Sequence, residues 1–268
     1  MDAILRLGPL MIATDRAVAL VAIWAFVSIG ALVAARTRSP AGRVAWTALL
    51  IGIVAARAGF VVQNLSGFMV EPWAILALWQ GGFAPWIGAG AAAAVVVGML
   101  GRQRATGLLL APIVGLSLAY MAIGALTAPD PRPLPRGLTL QTLAGKPVSV
   151  DAMRGRPFVI NLWATWCPPC RREMPMVIDV ARGASVPVLL VNQGEPAERV
   201  GVFLSANDLA GDAIFLDAGR RVAAVTGASA YPTTLFVDAA GNVVRVHAGE
   251  ISRAALSAAI RDLERTTV

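Results

Sequence analysis

A chain of 268 residues with 57% hydrophobic side chains and a net charge of +7 has room for one to three domains. Its basic charge punctuates apolar runs: residues 1–129 hold 8 Arg, no Lys and 3 acids, a pattern that argues against nucleic-acid binding and marks membrane topology. Two cysteines are too few for a disulfide scaffold, and the single His247 removes most metal-site schemes, so neither a metal nor another cofactor is expected.

The N-terminal stretch MDAILRLGPLMIATDR lacks a basic leader followed by a cleavable apolar core, so no removed signal peptide is expected. A membrane-crossing helix needs about 20 mostly apolar residues. Ala17 to Ala35 is free of charge, and Val44 to Val62 carries only Arg57. The charge-free run from Pro72 to Gly101 is too long for one span, and Gly81, Gly82 and Pro85 break it. Pro72 to Gln80, rich in Trp, reads as an interfacial or re-entrant piece, Pro85 to Gly101 as a third span, and Ala105 to Leu126 as a fourth. The expected membrane bundle therefore fills residues 1–126.

Arg36, Arg38 and Arg43 lie between the first two spans, and Arg102 and Arg104 between the last two. The loop from Gln63 to Glu71 has no basic residue. The positive-inside rule puts both Arg-bearing loops in the cytoplasm. Four spans then leave both termini outside, in the periplasm of a Gram-negative source. Residues 127–136, with four prolines, read as a semi-rigid spacer ahead of a second domain at 137–268.

The pattern there changes to short strands and amphipathic helices. Residues 158–163 and 186–192 read as buried strands, and 233–238 and 242–247 as a hairpin across Ala239–Gly241. Helices are expected at 168–182, 196–206 and 252–265, the last with Ser252 as a plausible cap. This succession indicates an α/β sandwich around a mixed sheet.

Cys167 and Cys170 stand in WATWCPPCRREMP, after a strand and at the start of a helix. Pro168 and Pro169 fit the first helical turn, where a missing N–H costs nothing. A thiolate at Cys167 would sit at the positive end of the helix dipole, and Cys170 one turn further in would be shielded. Zinc would need two further ligands from a chain with one histidine and no third cysteine. An inert disulfide over so short a loop would stabilise little. A redox pair remains the leading reading.

VINLWATWCPPCRREMP, YPTTLFVD and GNVVRVHAGE together resemble the thioredoxin fold in its membrane-anchored TlpA-like and ResA-like branch of thiol–disulfide reductases. The resemblance covers about Gly137 to Arg265. It implies Cys167 as the attacking nucleophile and Cys170 as the resolving thiol. It also implies a cis Tyr231–Pro232 bond facing the disulfide, where Tyr231 can pair with a substrate strand; the plain alternative is a strand-entry proline. Core or rim packing is the default for both Trp163 and Trp166, yet Trp166, directly before Cys167, matches the family's platform beside the disulfide. Pro168 and Pro169 fill the positions between the cysteines.

The strand position that holds a buried Asp in cytosolic thioredoxin is Asn161, which cannot take a proton from Cys170. Glu173, three residues after Cys170, matches a glutamate of the TlpA-like and ResA-like branch and could manage that proton. The alternative is a solvated helix carboxylate paired with Arg171 or Arg172. Pro175 matches a helix-kinking proline, and His247 reads as a surface strand residue. The strongly oxidising branch carries a His between its cysteines; Pro168 and Pro169 offer no such donor, which favours reduction. The resemblance implies oxidised exported proteins as substrates, of cytochrome c or copper-centre maturation type. A chain with no further cysteine needs a membrane electron donor of DsbD-like or CcdA-like type.

In the first half, RAGF (57–60) and PWAILALWQGGFAPWIGAG (72–90) are similar to segments of prolipoprotein diacylglyceryl transferases. Trp86 stands where that family has a His, and its later conserved segment is absent. Arg57, an intramembrane charge, is a candidate for a lipid headgroup or a partner, but it also lies close enough to the outer end of the second span to snorkel. A lipid transferase with a redox appendage and a non-catalytic docking module for thiol partners are the competing readings.

Overall fold

The computed structural model describes residues 4–7, 10–126, 131–209 and 212–265. They fall into two compact units, Asp2–Leu65 with Gly82–Ala128, and Ser66–Gly81 with Pro129–Val268.

The first unit opens with a hairpin of β1 (Ile4–Leu7) and β2 (Leu10–Ala13), which the sequence did not announce. Four apolar helices follow: α1 (Thr14–Thr37), α2 (Ala41–Gln63), α4 (Pro85–Leu100) and α5 (Arg104–Leu126); α3 (Leu65–Val70) falls between α2 and α4 in the chain. Spans at Ala17–Thr37, Ala41–Gln63 and Arg104–Gly124 are long and apolar enough to cross a membrane. The expected third span is shorter. At 1.5 Å per residue, the 16 residues of α4 reach about 24 Å, against about 30 Å of hydrocarbon.

Small residues bring these helices together, as is usual where there is no water to drive packing. A Cβ on Gly88 would fall 2.7 Å from the carbonyl oxygen of Gly52, so α2 and α4 touch backbone to backbone. Phe26, Val44, Val96 and Leu109 fill the remaining core. Trp24, Val54, Trp86 and Met121 stay exposed on the outside of these helices. Arg57 is buried and donates from Nη1 to the carbonyl of Gly82 at 2.8 Å, with its guanidinium over the Phe83 ring.

The second unit is built on an eight-stranded mixed sheet. In chain order its strands are β3 (Arg132–Pro133), β4 (Thr139–Thr142), β5 (Pro147–Ser149), β6 (Phe158–Trp163), β7 (Val188–Gln193), β8 (Ile214–Asp217), β9 (Thr233–Val237) and β10 (Asn242–Ala248). In space they run β3-β10-β9-β6-β7-β8-β4-β5, with β6, β7 and β8 parallel. The helices are α6 (Pro168–Gly183), α7 (Ala197–Ala206), α8 (Arg221–Thr226) and α9 (Arg253–Arg265).

β6 is buried at all six positions because both faces of the sheet are covered. Its side chains alternate: Phe158, Ile160 and Leu162 enter one core with Leu189, Val191 and Leu235, while Val159 and Trp163 enter the other with Met174, Val177 and Leu256. α9 presents Leu256, Ala259, Ile260 and Leu263 along one stripe, and the Ser252 hydroxyl caps it by accepting from Ala255 N–H at 3.2 Å.

Two boundaries differ from expectation. Part of the supposed 127–136 spacer belongs to the folded domain: β3 pairs with β10, Leu134 is buried, and its N–H donates to Gly241 at 2.9 Å. Proline is tolerated on such an edge strand, since its missing donor faces away from the ladder. Residues 127–130 lie outside the described residues. Residues 72–80, read as an interfacial or re-entrant piece of the bundle, lie within Ser66–Gly81, which instead clusters with the sheet domain through α3 and two 3₁₀ turns, Pro72–Leu76 and Leu78–Gln80.

Candidate active site

The centre of the sheet sends its chain into α6 at the two cysteines. Cys167 caps the helix from an extended backbone conformation, and its sulfur accepts the N–H of Cys170 at 3.3 Å. The two form a disulfide with Cα atoms 5.3 Å apart. Cys170 is fully buried and Cys167 is only 3% exposed, so the pair is less open than its sequence context suggested. Pro168 and Pro169 occupy the first turn, where the helix has no use for their N–H groups. The free N–H groups and the dipole of α6 converge on Cys167 and favour its thiolate once the bond opens.

Around the sulfurs, Trp166 is 58% exposed and stands edge-on to Tyr231, ring centroids 6.0 Å apart. The Tyr231–Pro232 peptide bond is cis, and Pro232 is buried and accepts the N–H of Gly249 at 2.8 Å. Burial raises the Tyr231 hydroxyl above its ordinary pKa. Trp163 packs in the core against Phe203, and His247 is a half-buried strand residue near the Glu250 carbonyl.

One turn beyond Cys170, Glu173 is 4% exposed. Its Oε1 accepts from Asn161 Nδ2 at 3.0 Å and its Oε2 from Ile251 N–H at 3.0 Å. Burial pushes its carboxyl up to about 7, against the opposing pull of these two hydrogen bonds. A solvated carboxylate paired with its helix neighbours is therefore excluded: Arg172 pairs with Glu250 at 2.7 Å, and Arg171 lies over the Phe203 ring. An acid that changes charge near neutrality beside a buried thiol can hold or release that thiol's proton.

Sequence reasoning missed Glu195. It is 4% exposed, at the exit of β7, and its carboxylate accepts the Thr165 N–H at 2.7 Å, the Thr165 hydroxyl at 2.5 Å and Asn192 Nδ2 at 2.8 Å. It thereby ties down the loop that carries Trp166 and Cys167. The available signal was its place, directly after a parallel strand neighbouring β6, where active-site loops gather. Among the described residues, no group of three or more His, Cys, Asp or Glu could hold a metal ion.

The AhpC/TSA family matches residues 132–246. The DsbE homolog, a thiol:disulfide interchange protein of Paracoccus denitrificans, is 37% identical over 114 residues, covering 42% of this chain and 63% of that protein. The thiol–disulfide oxidoreductase ResA of Halalkalibacterium halodurans is 32% identical over 113 residues, 41% of this chain and 64% of its own. In both, less than two thirds of the relative's length is spanned. ResA of Geobacillus thermodenitrificans is 32% identical over 136 residues, 50% of this chain and 73% of that protein.

Proposed function

Because the chain belongs, through its sheet domain, to the ResA-like family of thiol–disulfide oxidoreductases, we propose that it is a membrane-anchored reductase of disulfides in exported proteins. The observation that carries this reading is the juxtaposition of three groups. Cys167 caps α6, Cys170 is buried behind it, and Glu173 follows one turn later with a carboxyl that titrates at about 7.

The chemistry needs no cofactor. The Cys167 thiolate attacks one sulfur of a client disulfide, forming a mixed disulfide and releasing the first client thiolate, which takes up a proton. Cys170 passes its proton to the Glu173 carboxylate and attacks Cys167 Sγ. The second client thiolate leaves, and the Cys167–Cys170 bond closes. Cys167 gives up its proton to solvent on ionising, Glu173 passes the Cys170 proton on to solvent, and each leaving client thiolate takes up one proton. The client thus gains two electrons and two protons, and the protein loses the same. Trp166, Tyr231 and the cis Pro232 form the surface on which the client strand rests, with Pro168 and Pro169 shaping its rim. Cytochrome c or copper-centre maturation proteins are clients of fitting type.

With no cysteine beyond 167 and 170, re-reduction falls to a second membrane protein of DsbD-like or CcdA-like type. The Arg-bearing loops after α1 and after α4 support an orientation with the redox domain outside the cytoplasm. The bundle serves as anchor in the lipid bilayer. Its transferase-like residues are otherwise engaged or altered, since Arg57 braces the Gly82 carbonyl and Trp86 is exposed apolar surface.

Insulin reduction separates an enzyme from a passive docking module. The pre-reduced full chain should reduce insulin and Cys167→Ser should not; equal rates for the two would remove the proposal.

A further inference from the structure

Ser66–Gly81 connects two helices of the bundle in sequence, yet its packing is with the sheet domain. Three separate contacts define that packing. Gln80, 8% exposed, donates from Nε2 to Glu250 Oε1 at 2.9 Å. Glu71 Oε1 lies 3.1 Å from Arg253 Nε, while Arg253 Nη1 reaches Asp179 of α6 at 2.7 Å. Gly67 approaches α9 so closely that a Cβ there would fall 2.9 Å from the Cα of Ala254. Phe68, Ala74 and Ala77 are buried alongside.

All three contacts land within residues 250–254, the turn that enters α9 and the first residues of that helix, and this segment borders the active site. Ile251, between Glu250 and Arg253, donates its N–H to Glu173. Glu250 is also held by Arg172, which lies between Cys170 and Glu173 on α6. We infer that Ser66–Gly81 is a clamp on the redox domain, in which Glu71, Gln80 and Gly67 hold the 250–254 segment and thereby act as positioning residues for the Glu173 carboxyl. A segment inserted between two membrane helices thus becomes part of the thiol chemistry.

The groups that face Glu173 are Asn161 from β6, Arg172 from its own helix, and Glu250 and the Ile251 N–H from the clamped turn. Thr234 of β9 is one step removed, through Asn161. Among these, the negative charge of Glu250 raises the carboxyl and Arg172 lowers it. How closely Glu250 is held therefore sets part of the pH at which Glu173 changes charge.

The inference rests on Glu173 as the proton carrier, so the test has one arm free of thiol chemistry. Full-length protein in lipid nanodiscs is compared as wild type, as the Glu71→Ala/Gln80→Ala double variant, and as Gly67→Leu. Deuterium uptake of a peptide spanning 249–255 should be at least about tenfold faster in the double variant, which loses the Gln80–Glu250 and Glu71–Arg253 contacts, and faster also in Gly67→Leu, whose side chain meets Ala254, with the β6 peptide unchanged. In the second arm, Glu250→Gln should lower the pH midpoint of disulfide exchange in the wild-type background and shift it less in the double variant. Unchanged uptake at 249–255, or the same Glu250→Gln shift in both backgrounds, overturns the clamp. A rate without a midpoint near neutrality counts against Glu173 alone, and uptake then decides.

Discussion

Asn161 Nδ2 lies 3.0 Å from Oε1 of Glu173, a bond that joins the middle of the central strand to α6 beneath the disulfide. The amide cannot exchange a proton with Cys170. It donates instead to the carboxyl proposed to do so, and its second contact, to Thr234 Oγ1 at 3.1 Å, fixes its orientation. The buried acid has moved from the strand to the helix, and the strand residue now tunes it.

Glu173→Gln should flatten the pH profile of thiol–disulfide exchange. In the wild type the carboxylate, the form that on this proposal accepts the Cys170 proton, accumulates as pH rises through about 7. The wild-type rate should rise over the same interval. The variant should be about 100-fold slower above it, as expected for the loss of a general base. Stopped-flow tryptophan fluorescence with a disulfide client reads both quantities.

The same group ties folding to pH. Its folded pKa of about 7 lies above the ordinary value of 4.5, so the native state binds the extra proton between those limits. Stability is then greatest at low pH and declines as pH rises from about 4.5 to 7, by about 3 kcal/mol in total. Denaturant unfolding of the redox domain at pH 5 and pH 8 should show that decline, and Glu173→Gln should remove most of it.

Much of this site was legible in the linear chain, because its signals are local. The Cys-Pro-Pro-Cys spacing, the apolar run at 158–163 and the Tyr231–Pro232 pair each carry their meaning within a few residues. What escaped was decided by distant partners. The 3-residue separation of Cys170 and Glu173 marks one helix face, but only Asn161 and Ile251 make that carboxyl a buried one. A Pro-rich segment reads as a spacer until β10 supplies the edge on which Arg132–Pro133 pairs. The Trp-rich stretch at 72–80 has the composition of a membrane interface, and the partners of Gln80 and of Glu71 just before it, Glu250 and Arg253, lie more than 160 positions away. Glu195 carried no motif, only a position at the end of a parallel strand.

Asn161→Asp should be severely destabilising above neutral pH. It removes both amide donations and sets a second carboxyl against Glu173 in a site closed to water. A loss of about 3–5 kcal/mol is expected from an unpaired buried charge. Unfolding at pH 8 against pH 5 should show most of that loss at the higher pH.

Glu195→Ala should loosen the loop ahead of Cys167. Three donors, the Thr165 N–H and hydroxyl and the Asn192 amide, lose their acceptor. A destabilisation of about 2–4 kcal/mol follows. Insulin reduction should slow, while Glu195→Gln, which retains one acceptor oxygen, should recover part of the rate.

Reporter fusions test the orientation. A periplasm-active enzyme joined after residue 131 should be active, and the same enzyme placed at Arg102 should be silent. The reverse pattern would put the redox pair in the cytoplasm, where a reductant of exported proteins has no clients.

The most direct measurement is capture of the mixed disulfide in cells. Cys170→Ser should accumulate adducts with disulfide-bearing exported proteins, joined through Cys167 and released by dithiothreitol, whereas Cys167→Ser should accumulate none. Adducts formed equally well through Cys170, or no adducts in either variant, would contradict the account.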